Sequence, residues 1–237
     1  WPREQRLSTP IDSFDIQTEN MRASAVFEAG STLALDRANL IIDALAFTSE
    51  KDGPSTMDSV RFALRRLDAD TNTYDLGFQA DGFTPTVPLL ELIDPVASLP
   101  KRLTKVHMAA TLAFDTPWDR FSVEDARPQP TSIDLREFTA LWGDLDLRMA
   151  GKLDIDRVGQ ADGRIVIKAT NWREMLELAV NAGTIPQNIA PTIANVMETL
   201  AGMSGNKNTL DVPLIFNKGR LSFGPIPLGR APVFVIL

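Results

Sequence analysis

The 237-residue chain has no cysteine and a single histidine, His107. Without thiols there are no disulfides, thiolate nucleophiles, zinc-thiolate sites or iron-sulfur clusters, although a cysteine-free chain is compatible with any compartment. One histidine removes every multi-histidine metal site. Cations are also scarce: 24 Lys and Arg stand against 31 Asp and Glu, a formal net charge of -7. A duplex nucleic-acid binder needs a cationic surface to displace counterions, so that class is excluded, and with it attachment to anionic lipid by charge alone. Long apolar runs are missing too. The run 40–47 is broken by Asp43 and the run 233–237 is only five residues long, far below the ~18 that a spanning helix needs. The start, Trp1-Pro2-Arg3-Glu4, has no initiator Met, basic n-region or apolar h-region and reads as a mature or trimmed chain.

Motifs for phosphate and acyl chemistry are absent as well. Neither Gly-x-Gly-x-x-Gly nor Gly-x-x-x-x-Gly-Lys occurs, and the cluster Gly202-Met-Ser-Gly205-Asn-Lys207 has the wrong spacing. No Gly-x-Ser-x-Gly elbow presents a nucleophile; Ser204-Gly205 sits in a polar turn. His107 could act as a general base, but alternation sets it opposite Val106 and Met108, as a surface histidine on a strand. The stretch Asp154-Ile-Asp156-Arg-Val158-Gly159 imitates a calcium loop, then fails with Val158 at position 5 and Ile165 at position 12. Its Asp residues read as a solvated face ending in a turn. Asp144 and Asp146 share a face with Arg148 and Lys152, which favours ion pairing over acid-base chemistry. Arg61, Arg65 and Arg66 form the one dense basic group, read as a solvated edge or cross-strand pairs. The expectation is therefore no metal, no cofactor, no catalytic residue and no enzyme.

What is present is alternation. Leu145, Leu147, Met149, Gly151, Leu153 and Ile155 interleave with Asp144, Asp146, Arg148, Ala150, Lys152, Asp154 and Asp156. A period of two puts one set on each face of a sheet. The same pattern runs through Val60, Phe62 and Leu64; through Tyr74, Leu76, Phe78 and Ala80; and through Val106, Met108, Ala110, Leu112 and Phe114. Turn signals at Asp70-Thr71-Asn72, Glu28-Ala29-Gly30-Ser31, Gly159 to Gly163 and Asn217-Lys218-Gly219 make hairpins of these strands.

Helical spacing appears late. Asn171 with Glu174 resembles a capping box for a helix starting at Trp172 and closed by Gly183, and a second helix is expected over about 191–200. A short helix is expected over 88–93, and the stretch 125–131 reads as an extended connector. The last strands are expected at 210–216 and 220–223. The predicted fold class is α+β: a large, twisted, mostly antiparallel β-sheet of hairpins with two or three helices packed on one face, in a single β-rich domain over 1–237 with a helical insertion at about 171–202. Trp118, Trp142 and Trp172 are core candidates by default and, more sharply, weak candidates for lining a groove that takes an apolar ligand.

Several strings resemble one family: Pro117-Trp-Asp-Arg-Phe, Glu124-Asp-Ala-Arg-Pro-Gln-Pro, Ile133-Asp-Leu-Arg-Glu, Trp142-Gly-Asp-Leu, Asn171-Trp-Arg-Glu-Met-Leu and the ending Gly219-Arg-Leu-Ser-Phe-Gly-Pro-Ile-Pro-Leu-Gly. In order and across the whole chain they are similar to the alphaproteobacterial envelope family catalogued as domain of unknown function 2125. The resemblance implies a periplasmic protein held at the inner membrane by an N-terminal anchor that lies outside this chain. It carries over no catalytic residue. A looser likeness to AsmA-like proteins implies lipid held along a groove of antiparallel strands, which is an analogy of fold. Two functions follow as expectations: a non-enzymatic envelope protein binding lipid or another apolar ligand, or a structural or assembly factor docking other envelope proteins through its sheet edges.

Overall fold

The computed structural model describes residues 2–9, 12–67, 72–124, 127–203 and 206–236. The expected turn at Asp70-Thr71, the Ser204-Gly205 pair and the first part of the 125–131 connector lie outside those residues.

Among the described residues, thirteen strands form one antiparallel sheet. They are β1 (Glu4–Ser8), β2 (Ser13–Gln17), β3 (Asn20–Phe27), β4 (Leu35–Ser49), β5 (Gly53–Arg66), β6 (Thr73–Phe83), β7 (Leu103–Phe114), β8 (Pro130–Trp142), β9 (Leu145–Ile155), β10 (Ala161–Thr170), β11 (Thr209–Asn217), β12 (Arg220–Phe223) and β13 (Ile226–Arg230). From β4 onward each strand pairs with the next in sequence. The long β4 carries two partners on its other side, β3 along 35–43 and β2 along 46–49, and β1 lies outside β2. Among the described residues the sheet is accompanied by helices α1 (Val87–Ile93), α2 (Phe121–Glu124), α3 (Trp172–Asn181) and α4 (Ala190–Met203).

Alternation governs the faces as expected. Leu145 and Leu153 are 4% and 3% exposed, while Asp154 between them and Ile155 is open to solvent. One break in the rhythm has a local cause. In β8 the register shifts between Leu135 and Phe138, so both face the core while Arg136 and Glu137 share the other face. That is a β-bulge, which keeps a three-residue apolar spacing in phase with the sheet. A second irregularity crosses the sheet at Ala44 and Gly82, both with positive φ. Beyond it the buried positions become Ser49 and Ser55, whose hydroxyls donate to Asp12 and to the Thr84 carbonyl.

The helices sit where the periodicity puts them, but the capping box does not form. Asn171 occupies the N-cap in the left-handed region, with φ 59° and ψ 41°, and makes no side-chain cap. Its amide turns away from the helix and donates 2.9 Å to the Asp144 carbonyl, tying α3 to the β8–β9 turn. At the far end Gly183, at φ +73°, closes the helix with Thr184 N–H donating to the Ala179 carbonyl. The second helix is longer than the expected 191–200, and β13 and the single turn of α2 follow no legible period.

Candidate functional site: an apolar groove on the sheet

The register lines up the apolar positions of successive strands into rows that cross the sheet. One row is Met21, Ile42, Val60, Ala80, Val106, Ala140, Leu147, Ala169 and Leu210. A second is Ala23, Leu40, Phe62, Phe78, Met108, Phe138, Met149, Ile167 and Val212. A third runs from Ala25 through Ala38, Leu64, Leu76, Ala110, Leu135, Gly151 and Ile165 to Leu214. Each row crosses the nine strands β3 to β11 without a polar side chain, so at about 4.8 Å per strand it spans roughly 38 Å.

Cover is uneven along these rows. Helices α3 and α4 seal the β9–β12 end, where Trp172, Leu176, Ile193, Met197 and Ala201 pack on Ala169, Leu210, Val212 and Phe223. Beside them Phe234 of the C-terminal tail packs on Phe216, with ring centroids 6.1 Å apart. The lower margin near β5–β7 is closed by residues 115–124. There Trp118 packs edge-on against Phe114, Phe114 against Tyr74, and the Trp118 N–H donates 3.3 Å to the Tyr74 hydroxyl. Leu40, Phe62, Phe78, Met108 and Phe138, in the middle, belong to neither buried cluster and are half-exposed.

A cavity of about 290 Å³ lies under α3 at the sealed end, lined by Leu103, Ala140, Trp142, Leu147, Met175 and Ile185 among other apolar side chains. Both of its indole N–H groups are already satisfied. Trp142 Nε1 donates 2.6 Å to the Pro100 carbonyl and Trp172 Nε1 donates 3.0 Å to the Lys207 carbonyl. The cavity therefore presents an apolar wall with no free side-chain hydrogen-bonding group. Ala140 continues into Val106 and Ala80, so the cavity is the covered end of the open rows. At the rim, α1 buries none of its residues, and Val87, Leu89, Leu92 and Val96 are large apolar side chains left in solvent, Val96 at 81% exposure. Asn181 of α3 donates to the Ile93 carbonyl and holds that rim beside the cavity.

Of the three candidate tryptophans, Trp142 and Trp172 meet in this cavity and Trp118 does not; it closes the opposite margin of the sheet. Trp172 is 2% exposed, a core residue with one face on the cavity. Sequence reasoning expected α1, over 88–93, without placing it at this rim, and it missed Leu103 and Ile185, whose only signal is an isolated apolar residue near a proline.

The remaining candidates resolve into structural pairings. Arg61 and Arg65 face solvent and pair with Asp43 and Asp75, but Arg66 lies on the apolar face, buried, with its guanidinium on Glu28. Those three arginines are not one basic group, because alternation separates Arg66 from Arg61 and Arg65. The Asp156 carboxylate accepts the Val158 and Gln160 N–H groups and caps the β9–β10 turn. Asp146 accepts three hydrogen bonds from Arg148. His107 is less exposed than a surface reading implies: Gly77 and Ala63 leave a shallow dent in which its ring lies, with Nδ1 enclosed. No group of three His, Cys, Asp or Glu that could hold a metal occurs among the described residues. No helix among them is long and apolar enough to cross a membrane.

No curated protein and no solved structure matches this chain. A family model does match, over residues 1–232, and the chain belongs to that family, described as "Uncharacterized protein conserved in bacteria (DUF2125)".

Proposed function

We propose that this protein is a non-enzymatic cell-envelope protein that holds a lipid acyl chain, or an apolar ligand of similar shape, across its strands on the open apolar rows. The observation that carries this reading is the set of three unbroken rows, sealed by α3 and α4 at one end, whose middle row, Leu40, Phe62, Phe78, Met108 and Phe138, stays partly open to water over β4–β8. Apolar area left in water is costly, and each methylene moved onto it contributes about 0.8 kcal/mol. A row of roughly 38 Å exceeds the ~15 Å depth of one leaflet's hydrocarbon, half the bilayer core. Each row thus has room for more than one chain end to end. The cavity under α3 takes the methyl end, since it offers no free hydrogen-bonding group. A polar head stays outside. The apolar rim of α1 provides the contact through which a chain passes from a membrane surface.

Periplasmic location and inner-membrane anchoring extend the family resemblance and are tested by fractionating cells for the full-length protein. Ligand binding is tested by solvent extraction of natively purified protein and mass spectrometry of the extract. The expected result is near-stoichiometric lipid, lost in Phe138→Asp while the far-ultraviolet circular dichroism is kept. Protein that yields no lipid and takes up no acyl probe contradicts the proposal.

A further inference from the structure

Sheet edges invite pairing, and natural proteins guard them with charge, proline or short strands. Two of the edges here are guarded. β1 has five residues with Glu4 and Arg6, and β13 has five with Pro227 and Gly229. β3 is different: among the described residues it pairs only with β4, and it runs for eight residues, contains no proline and bears one charge, Arg22. All its residues but Met21 are exposed, including Val26 and Phe27 at 38% and 52%. The three apolar rows also end there, at Met21, Ala23 and Ala25.

We propose that β3 pairs antiparallel with β3 of a second copy of this chain, joining the two apolar grooves into one. A twofold axis that sets two identical strands antiparallel and edge to edge stands normal to the sheet, because an axis along the strands gives parallel pairing. A normal axis keeps the same face up in both copies. The rows of one copy therefore continue into those of the other, and the small side chains of Ala23, Ser24 and Ala25 meet at the seam without a step. The charges suit a second copy. With the axis at any of residues 23–25, each Arg22 stands opposite residue 24, 26 or 28 of its mate, so the two cations are kept apart. With no acid inside β3, this edge is also where a chain of net charge -7 repels its copy least.

The pairing stands on the strand itself and not on the ligand reading. Sedimentation velocity of the chain at tens of micromolar is expected to give twice the chain mass, and Ala23→Lys with Ala25→Lys to give the single mass with unchanged far-ultraviolet circular dichroism. Because the chain has no cysteine, Ala23→Cys, Ser24→Cys and Ala25→Cys each place one thiol. Under mild oxidation the variant on the twofold axis is expected to cross-link at least tenfold faster than Arg3→Cys. A single-chain mass at every concentration overturns the proposal, as does a dimer that ignores the lysines and shows no preferred cross-link. A dimer without lipid would leave this inference standing and remove the ligand reading; a lipid-loaded monomer would do the reverse.

Discussion

Tyr74 and Asp75 are neighbours on opposite faces of β6, and their environments push them in opposite directions. Burial raises the Tyr74 phenol above its usual range, against the Trp118 N–H and the Arg66 charge that favour its ionised form. Asp75 is lowered, first by the Arg136 guanidinium donating 2.6 Å to its carboxylate and then, against some desolvation, by the Thr111 hydroxyl. A carboxylate depressed in the folded state stabilises above its unfolded pKa of about 3.9, and that contribution disappears as pH falls through the folded value. Asp75→Asn is accordingly expected to lower stability at pH 7 by about 1–2 kcal/mol and to leave a shallower acid limb below about pH 4. Melting temperature against pH checks both. Glycines within the strands differ just as sharply. A Cβ on Gly151 or Gly163 would lie 2.2 or 2.3 Å from a neighbouring strand's carbonyl oxygen, whereas one on Gly77 meets nothing within 4 Å. Denaturant unfolding should show Gly151→Ala losing about 2–3 kcal/mol and Gly77→Ala under about 0.5. At this scale the sequence is half legible. The parity that sends Arg66 to the apolar face can be read from Leu64, but its partner Glu28 lies on another strand's end and cannot.

Elements with a buried face announce themselves; elements without one do not. The β9–β10 hairpin is readable because each strand alternates and the Gly159–Gly163 stretch supplies the turn. β3 has no buried face to impose a period, and β13 is built on proline and glycine, so neither leaves a pattern. The failed capping box shows tertiary structure overriding a local signal: Asn171 spends its amide on the Asp144 carbonyl of the turn beside it. Two predictions belong here. Trp172→Ala removes the buried ring that joins α3 to the sheet and should cost about 3–5 kcal/mol in chemical unfolding. Leu89→Asp with Leu92→Asp changes side chains that are exposed and outside both buried clusters, so the melting temperature should stay within a few degrees while transfer of an acyl probe from vesicles slows several-fold. Unaltered transfer would remove α1 from the entry route.

Across the whole molecule the decisive property is register, which no single strand displays. Alternation told which side of each strand is greasy, and it placed the helices against that side. It did not tell that Phe62, Phe78, Met108 and Phe138 stand in one line, because that alignment depends on three successive turns and on the bulge at Arg136 and Glu137. Nor did it show that the middle row joins neither buried cluster from β4 to β8. The groove is a consequence of a sheet wider than its helices. The most direct test is photo-cross-linking with a fatty acid that carries a diazirine along its chain, followed by peptide mapping. Label concentrated on the peptides bearing Phe62, Phe78, Met108 and Phe138, and competed away by unlabelled fatty acid, is the predicted outcome. Label spread over the charged face, around Arg61, Arg148 and Lys152, or no saturable label at all, would contradict the account.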